Sequence, residues 1–151
     1  MAALQNDVTE VVRQQHLDVT GRLAAVQHKT GDNRAQEFHA LVEILTGHET
    51  AEETVIYPVL RGIGDNGVKI ADARTAEEAA ATVILTHLQT LDTNSSDFVT
   101  AFTDFAGKVH EHAAHEEAEV LPLLTSTITE AQRIEMGKAF LATQQHASTN
   151  G

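Results

Sequence analysis

The sequence predicts an all-α fold, an up-down four-helix bundle with an additional C-terminal helix. Three observations predict it. Apolar residues recur at helical spacing in five stretches, turn formers separate those stretches by short links, and no segment alternates with the two-residue period of a strand. Short links favour antiparallel neighbours, hence the up-down order. At 151 residues the chain is expected to be one domain over 1–151, with a bundle core at about 7–124 and a C-terminal helix at about 129–146.

The first helix is expected from about Asp7 to Lys29, where Val12, His16, Val19, Leu23 and Val26 step by four and three. Asp7 with Glu10 resembles a capping box, and Thr30 to Asn33 supply the stop and the next cap. The second runs from about Asn33 to Leu60 and places Leu41, Leu45, His48, Glu52 and Val59 on one face, ending where Pro58 and the run RGIGDNG interrupt it. The third starts at about Ala71, or at the Thr75 to Glu78 capping box, and ends before Asp92, with Val83, Ile84, His87 and Leu88 in its stripe. The fourth follows DTNSSD with Phe98, Phe102, Phe105, Val109, His112, Glu116 and Val120 in register and ends near Pro122. A fifth is capped by Thr129 with Gln132 and ends in a polar tail, HASTNG, expected to fray.

The composition excludes several functions. With no cysteine, thiolate zinc sites, iron–sulfur clusters and disulfides are impossible, and a reducing cytoplasm is the expected location. The net charge of −12 argues against nucleic acid as a partner. The stretch from Met1 to Val12 carries Asp7 and Glu10, and nowhere do about eighteen apolar residues run together, so neither an export signal nor a membrane span is expected. Nine histidines are the unusual part of the composition, and four of them fall in apolar stripes.

Two of those four sit in an internal echo. HETAEETVIYPVL (48–60) and HAAHEEAEVLPLL (112–124) share, without gaps, the histidine, two adjacent glutamates, the proline and the last leucine. Residues four apart on a helix are displaced by about 40° and about 6 Å, so His48 with Glu52 and His112 with Glu116 each present neighbouring ligand groups on one face. Counting from the turns brings His16 and His87 towards the same depth. Four imidazoles and two carboxylates exceed the four ligands of a structural zinc and are too rich in nitrogen for calcium or magnesium; they suit iron or manganese. If Glu52 and Glu116 each bridge two metals, an open position remains for dioxygen, hydrogen peroxide or nitric oxide. A salt-bridged polar layer without metal is the competing reading, but burying these groups unpaired carries a large desolvation cost.

With His16, H48-E-x-x-E52-E-x-x-x-Y-P, His87 and H112-x-x-x-E116-E-x-x-x-L-P, the chain resembles the hemerythrin-like family of HHE cation-binding domains over about Asp7 to Leu124. The resemblance implies two iron ions, a non-heme di-iron pair bridged by an oxo or hydroxo group, held by His16, His48, Glu52, His87, His112 and Glu116. It also implies dioxygen carriage or sensing, or reaction with peroxide or nitric oxide. Oxygen-carrying members place two histidines four apart on the third helix, whereas here Val83 precedes His87, so Tyr57 and His115 are the candidates to fill or border that position. An incomplete histidine set favours catalase-like decomposition of hydrogen peroxide, with the reductant unassigned; reversible dioxygen or nitric oxide binding without turnover is the alternative. A ferritin-like oxidase is disfavoured because no histidine has a glutamate three residues before it. His39 with Glu43 and His110 are expected off the stripe, His28 and His146 at helix ends, and Glu53, Glu117 and Glu119 beside the site or in solvent.

Overall fold

Asp7 begins the first helix. Its Oδ1 accepts from the Thr9 backbone N–H at 2.9 Å and from the Thr9 hydroxyl at 2.8 Å, and its Oδ2 accepts from Arg133 Nε at 2.9 Å. Burial opposes the Asp7 charge, but the Arg133 and Thr9 hydrogen bonds outweigh it and hold the carboxyl below its usual range. Glu10 does not close the expected box; it pairs with Arg13 at 2.7 Å.

The computed structural model describes residues 6–150, with side chains through residue 146. Residues 1–5 of the N-terminal stretch and Gly151 of the tail lie outside the described residues. The elements are α1 (Val8–His28), α2 (Gly31–Ala51), a π-helical turn π1 (Glu52–Ile56), α3 (Tyr57–Arg61), α4 (Asp65–Leu88), α5 (Ser96–His115), a second π-helical turn π2 (Glu116–Val120), α6 (Leu121–Thr127) and α7 (Glu130–Asn150). Because α2, π1 and α3 follow without a break, as do α5, π2 and α6, the described residues form five rods. The described residues include no strand, and none of their helices is long and apolar enough to cross a membrane. The all-α bundle with its C-terminal helix is therefore observed.

Three boundaries differ from expectation. The third helix starts at Asp65, not at Ala71 or Thr75, because Gly64 takes φ +132 and turns the chain directly into it. Thr75 and Glu78 are thus mid-helix and form no cap. The fourth rod does not end at Pro122 but continues to Thr127, since the preceding turn is widened to accept the proline. Helix α7 runs to Asn150 and takes in most of the tail expected to fray.

The core is divided. One apolar cluster contains Val8, Val12, Ile56, Leu60, Ala71, Val120, Leu121 and Phe140; the other contains Val19, Leu23, Leu41, Leu45, Ala81, Phe98, Phe102 and Phe105. On α1 the switch between clusters falls at His16, on the second rod at His48 and Glu52, on α4 at Glu78, and on the fourth rod at His112 and Glu116. The fold thus places one polar layer between two apolar ones.

Helix α7 lies against α1 and α2, and its close approach is set by Gly137, where a Cβ would collide with the Asn6 carbonyl oxygen. Gly107 on α5 has open space around it. Thermal unfolding should therefore show opposite signs: Gly137→Ala loses about 1–3 kcal/mol, and Gly107→Ala gains about 0.5–1 kcal/mol.

Candidate metal centre

The polar layer is assembled from four of the five rods. Helix α1 contributes His16, the second rod His48 and Glu52, α4 Glu78, and the fourth rod His112 and Glu116. Glu52 and Glu116 are 0% and 1% exposed, so neither carboxylate has solvent to stabilise its charge.

Each of the three imidazoles is anchored through Nδ1 to an acceptor outside the cluster. His16 Nδ1 meets Glu117 Oε2 at 2.8 Å, His48 Nδ1 meets Gln15 Oε1 at 2.7 Å, and His112 Nδ1 meets Glu77 Oε1 at 2.9 Å. An acceptor at Nδ1 keeps the proton there and turns the Nε2 lone pair inward, the arrangement in which histidine binds metals. The inward distances are 3.1 Å from His16 Nε2 to Glu116 Oε1, 3.5 Å from His48 Nε2 to Glu52 Oε1, and 3.4 Å from His112 Nε2 to Glu78 Oε2. His112 Nε2 also lies 3.6 Å from Glu116 Oε1 and 3.9 Å from Glu52 Oε1.

Buried polar atoms ordinarily have partners. Here His48 Nε2, His112 Nε2, both carboxylate oxygens of Glu52 and Glu78 Oε1 have none. Ligand atoms of His16, His48, Glu52 and Glu116 fall within 4.8 Å of one another, and so do those of Glu52, Glu78 and His112. Glu52 belongs to both groups. Imidazole nitrogen with carboxylate oxygen fits iron or manganese, so the donor set suits the metals expected from the sequence.

Tyr57 borders the cluster. Its hydroxyl donates to Glu116 Oε2 at 3.1 Å or to Glu78 Oε2 at 3.2 Å, and burial together with the surrounding carboxylates pushes its own ionisation far above the usual phenol range. Beyond the histidines, Glu77 Oε2 lies 2.5 Å from His115 Nδ1, and Arg74 pairs with Glu77 at 2.8 Å and Glu119 at 2.5 Å. A cavity of about 40 Å³ opens onto the layer, walled by Val19, Leu45, Ala81 and Val109, with Thr20 and His110 at its exposed rim. That space admits a few water-sized molecules.

Five of the six residues expected at the centre come together: His16, His48, Glu52, His112 and Glu116. His87 does not. It is exposed near the C-terminal end of α4, nine residues beyond Glu78, or two and a half turns and about 13 Å along the axis. Val83 is 71% exposed, so the inward pair four apart on α4 is Arg74 and Glu78. His115 lies outside the inner cluster and binds Glu77, whereas Glu117 and Glu119 support the site from outside. His28, His39, His110 and His146 are exposed. The sequence does not single out Glu78 as a ligand-type residue because its spacing from Thr75 reads as a capping box; the step Ala71, Arg74, Glu78, Ala81 carries the helical signal that identifies it. Glu49 was also missed: it lines the cavity, and burial and the neighbouring Glu52 raise its carboxyl to about 7.

A helical bundle with a buried layer of imidazoles and carboxylates defines a metal-binding bundle protein. More narrowly, the chain belongs to the hemerythrin HHE cation-binding domain family, whose domain matches residues 7–124. It is similar to an uncharacterised hemerythrin-like protein of Schizosaccharomyces pombe, 25% identical over 107 residues, which cover 70% of this chain. The match takes in 53% of the fission-yeast protein, so this chain spans about half of that relative's length. No solved structure matches the chain significantly.

Without metal the layer holds protons. Burial opposes the His48 charge, but the Glu52 and Glu116 carboxylates raise it to about 9; His112, opposed by burial and favoured by Glu52 and Glu78, is raised to about 12. Burial first and Glu52 second raise Glu116 to about 7. A metal must displace these protons, so affinity should increase with pH from 6 through 9, with proton release measurable by calorimetry in buffers of different ionisation enthalpy. The Nδ1 anchors yield a second expectation. Gln15 holds His48 and is itself held by Gln144 Nε2 at 2.7 Å, so Gln15→Leu should weaken metal binding by about 10- to 100-fold in titrations while leaving the helical circular dichroism unchanged.

Proposed function

We propose that this chain is a non-heme di-iron module that decomposes hydrogen peroxide. The observation that carries this reading is the pair of inward-facing donor groups sharing Glu52, with five buried ligand-type atoms that no protein group satisfies. His16 and His48 would hold one iron and His112 and Glu78 the other, with Glu52 and Glu116 between them. A bound pair of irons would supply two one-electron redox changes, the two electrons that peroxide disproportionation exchanges.

The residues support turnover more than carriage. The donor that α4 brings to the layer is the Glu78 carboxylate and not an imidazole, and each anionic donor favours the more highly charged state of a nearby cation. A carrier must instead keep its metals reduced in the presence of dioxygen. The cavity has room for a molecule the size of peroxide, and Val19, Leu45, Ala81 and Val109 give its approach to the layer an apolar wall. The Tyr57 hydroxyl helps to position the Glu116 and Glu78 carboxylates by donating to Glu116 Oε2 or to Glu78 Oε2, and Glu116 keeps its Oε1 towards His16 and His112. Disproportionation needs no external reductant, because one peroxide is oxidised to dioxygen while the other is reduced to water.

The test is oxygen evolution from the iron-loaded protein after peroxide is added. One dioxygen is expected for every two peroxides consumed, with two irons per chain by metal analysis. Absence of oxygen evolution, with a dioxygen adduct stable over many minutes in visible spectra, would overturn the catalytic reading and favour carriage.

A further inference from the structure

The two donor groups differ in chemistry. The group formed by His16, His48, Glu52 and Glu116 offers two imidazole nitrogens, whereas Glu52, Glu78 and His112 offer one, with Glu116 Oε1 a further oxygen 3.6 Å from His112 Nε2. Their surroundings differ in the same direction. His48 is anchored by the neutral amide of Gln15 and faced by the Phe140 ring at 5.6 Å. His112 is anchored by the Glu77 carboxylate, which His115 and Arg74 also contact.

Nitrogen donors discriminate among divalent metals along the series from manganese to copper, and replacing nitrogen by carboxylate oxygen weakens that discrimination. Glu78 is 4% exposed, its Oε1 has no partner, and its Oε2 lies 3.4 Å from the lone-pair side of His112. It is therefore placed as a donor and is not a solvated charge.

Resting on the two-metal reading above, we infer that the positions are inequivalent: the His16–His48 position selects Fe(II), and the Glu78–His112 position is exchangeable and accepts Mn(II). With Mn(II) in excess over Fe(II), the chain takes up one of each. The residue that sets this difference is Glu78, since a histidine there would give both positions two nitrogens.

The test is anaerobic competition on the metal-free protein with Mn(II) in excess over one equivalent of Fe(II) and, separately, over two equivalents, followed by removal of free metal and counting of bound iron and manganese. One iron and one manganese per chain are expected, and titration with Fe(II) alone should show two steps separated by roughly 10- to 100-fold. In Glu78→His both positions should fill with iron and the two steps should merge. In Glu78→Gln, a nearly isosteric change that preserves the fold, one iron should be retained and the manganese lost. Two irons and no manganese in the unaltered protein, or a Glu78→His variant that still retains one of each, would overturn the inference while leaving the two-metal reading intact. Retention of neither metal, or of only one metal in total, would overturn the two-metal reading itself.

Discussion

Three carboxylates, Glu52, Glu78 and Glu116, are withdrawn from water within a few ångströms of one another, and the rest of the structure is arranged around that constraint. The penalty for an unpaired buried charge is several kcal/mol per ion. Three histidines offset part of it, but the inward nitrogens of His48 and His112 and both Glu52 oxygens still lack hydrogen-bond partners. The layer must therefore take up protons or cations, and the same groups that favour protons on His48 and His112 are those that would attract a metal. The two apolar clusters provide the opposing stabilisation. Each spans several rods, one on either side of the layer, so the helices stay in register at the depth where the polar groups meet.

The internal echo has a structural explanation. Each HxxxE motif is followed by a π-helical turn, Glu52–Ile56 or Glu116–Val120, and each turn precedes a proline by one residue. Proline has no N–H, and its ring crowds the carbonyl four residues back. The widened turn removes that crowding: the Tyr57 N–H reaches the Glu52 carbonyl, and the Leu121 N–H reaches that of Glu116. The glutamate that faces the layer is thus also the first residue of the widened turn. Pro58 and Pro122 shape the site without touching it, which is why the repeated unit extends beyond the ligand-type residues to the proline.

Much of this was legible in the sequence because the signals were local. The HxxxE spacing identified His48 with Glu52 and His112 with Glu116, and the first helix, with a clear cap at Asp7 and a clear stop at Thr30, put His16 at the right depth. The third helix failed for an equally local reason. By composition RGIGDNG reads wholly as loop, whereas only Gly62 to Gly64 turn the chain and Asp65 already opens α4. Moving the start by six residues shifts the depth count along the whole helix, so His87 passes the layer and Glu78 enters it. No histidine pattern could reveal the substitution, since a lone glutamate beside a threonine at capping-box spacing carries an equally good local meaning.

The matched family region ends at Leu124, yet the environment of His48 depends on α7 beyond it. Phe140 packs its ring against His48 and is fully buried in the apolar cluster next to the layer, and Gln144 pairs with Gln15, the residue that anchors His48 Nδ1. Arg133 ties the same helix to the cap of α1 through Asp7. A four-rod bundle alone would leave the groove between α1 and α2 open beside His48. Water entering there would compete for the imidazole and lower the cost of keeping the carboxylates charged. Through Phe140 and the Gln144–Gln15 pair, α7 fixes the orientation of the His48 imidazole, so the chemistry of the layer is set partly by a helix that contributes no ligand to it.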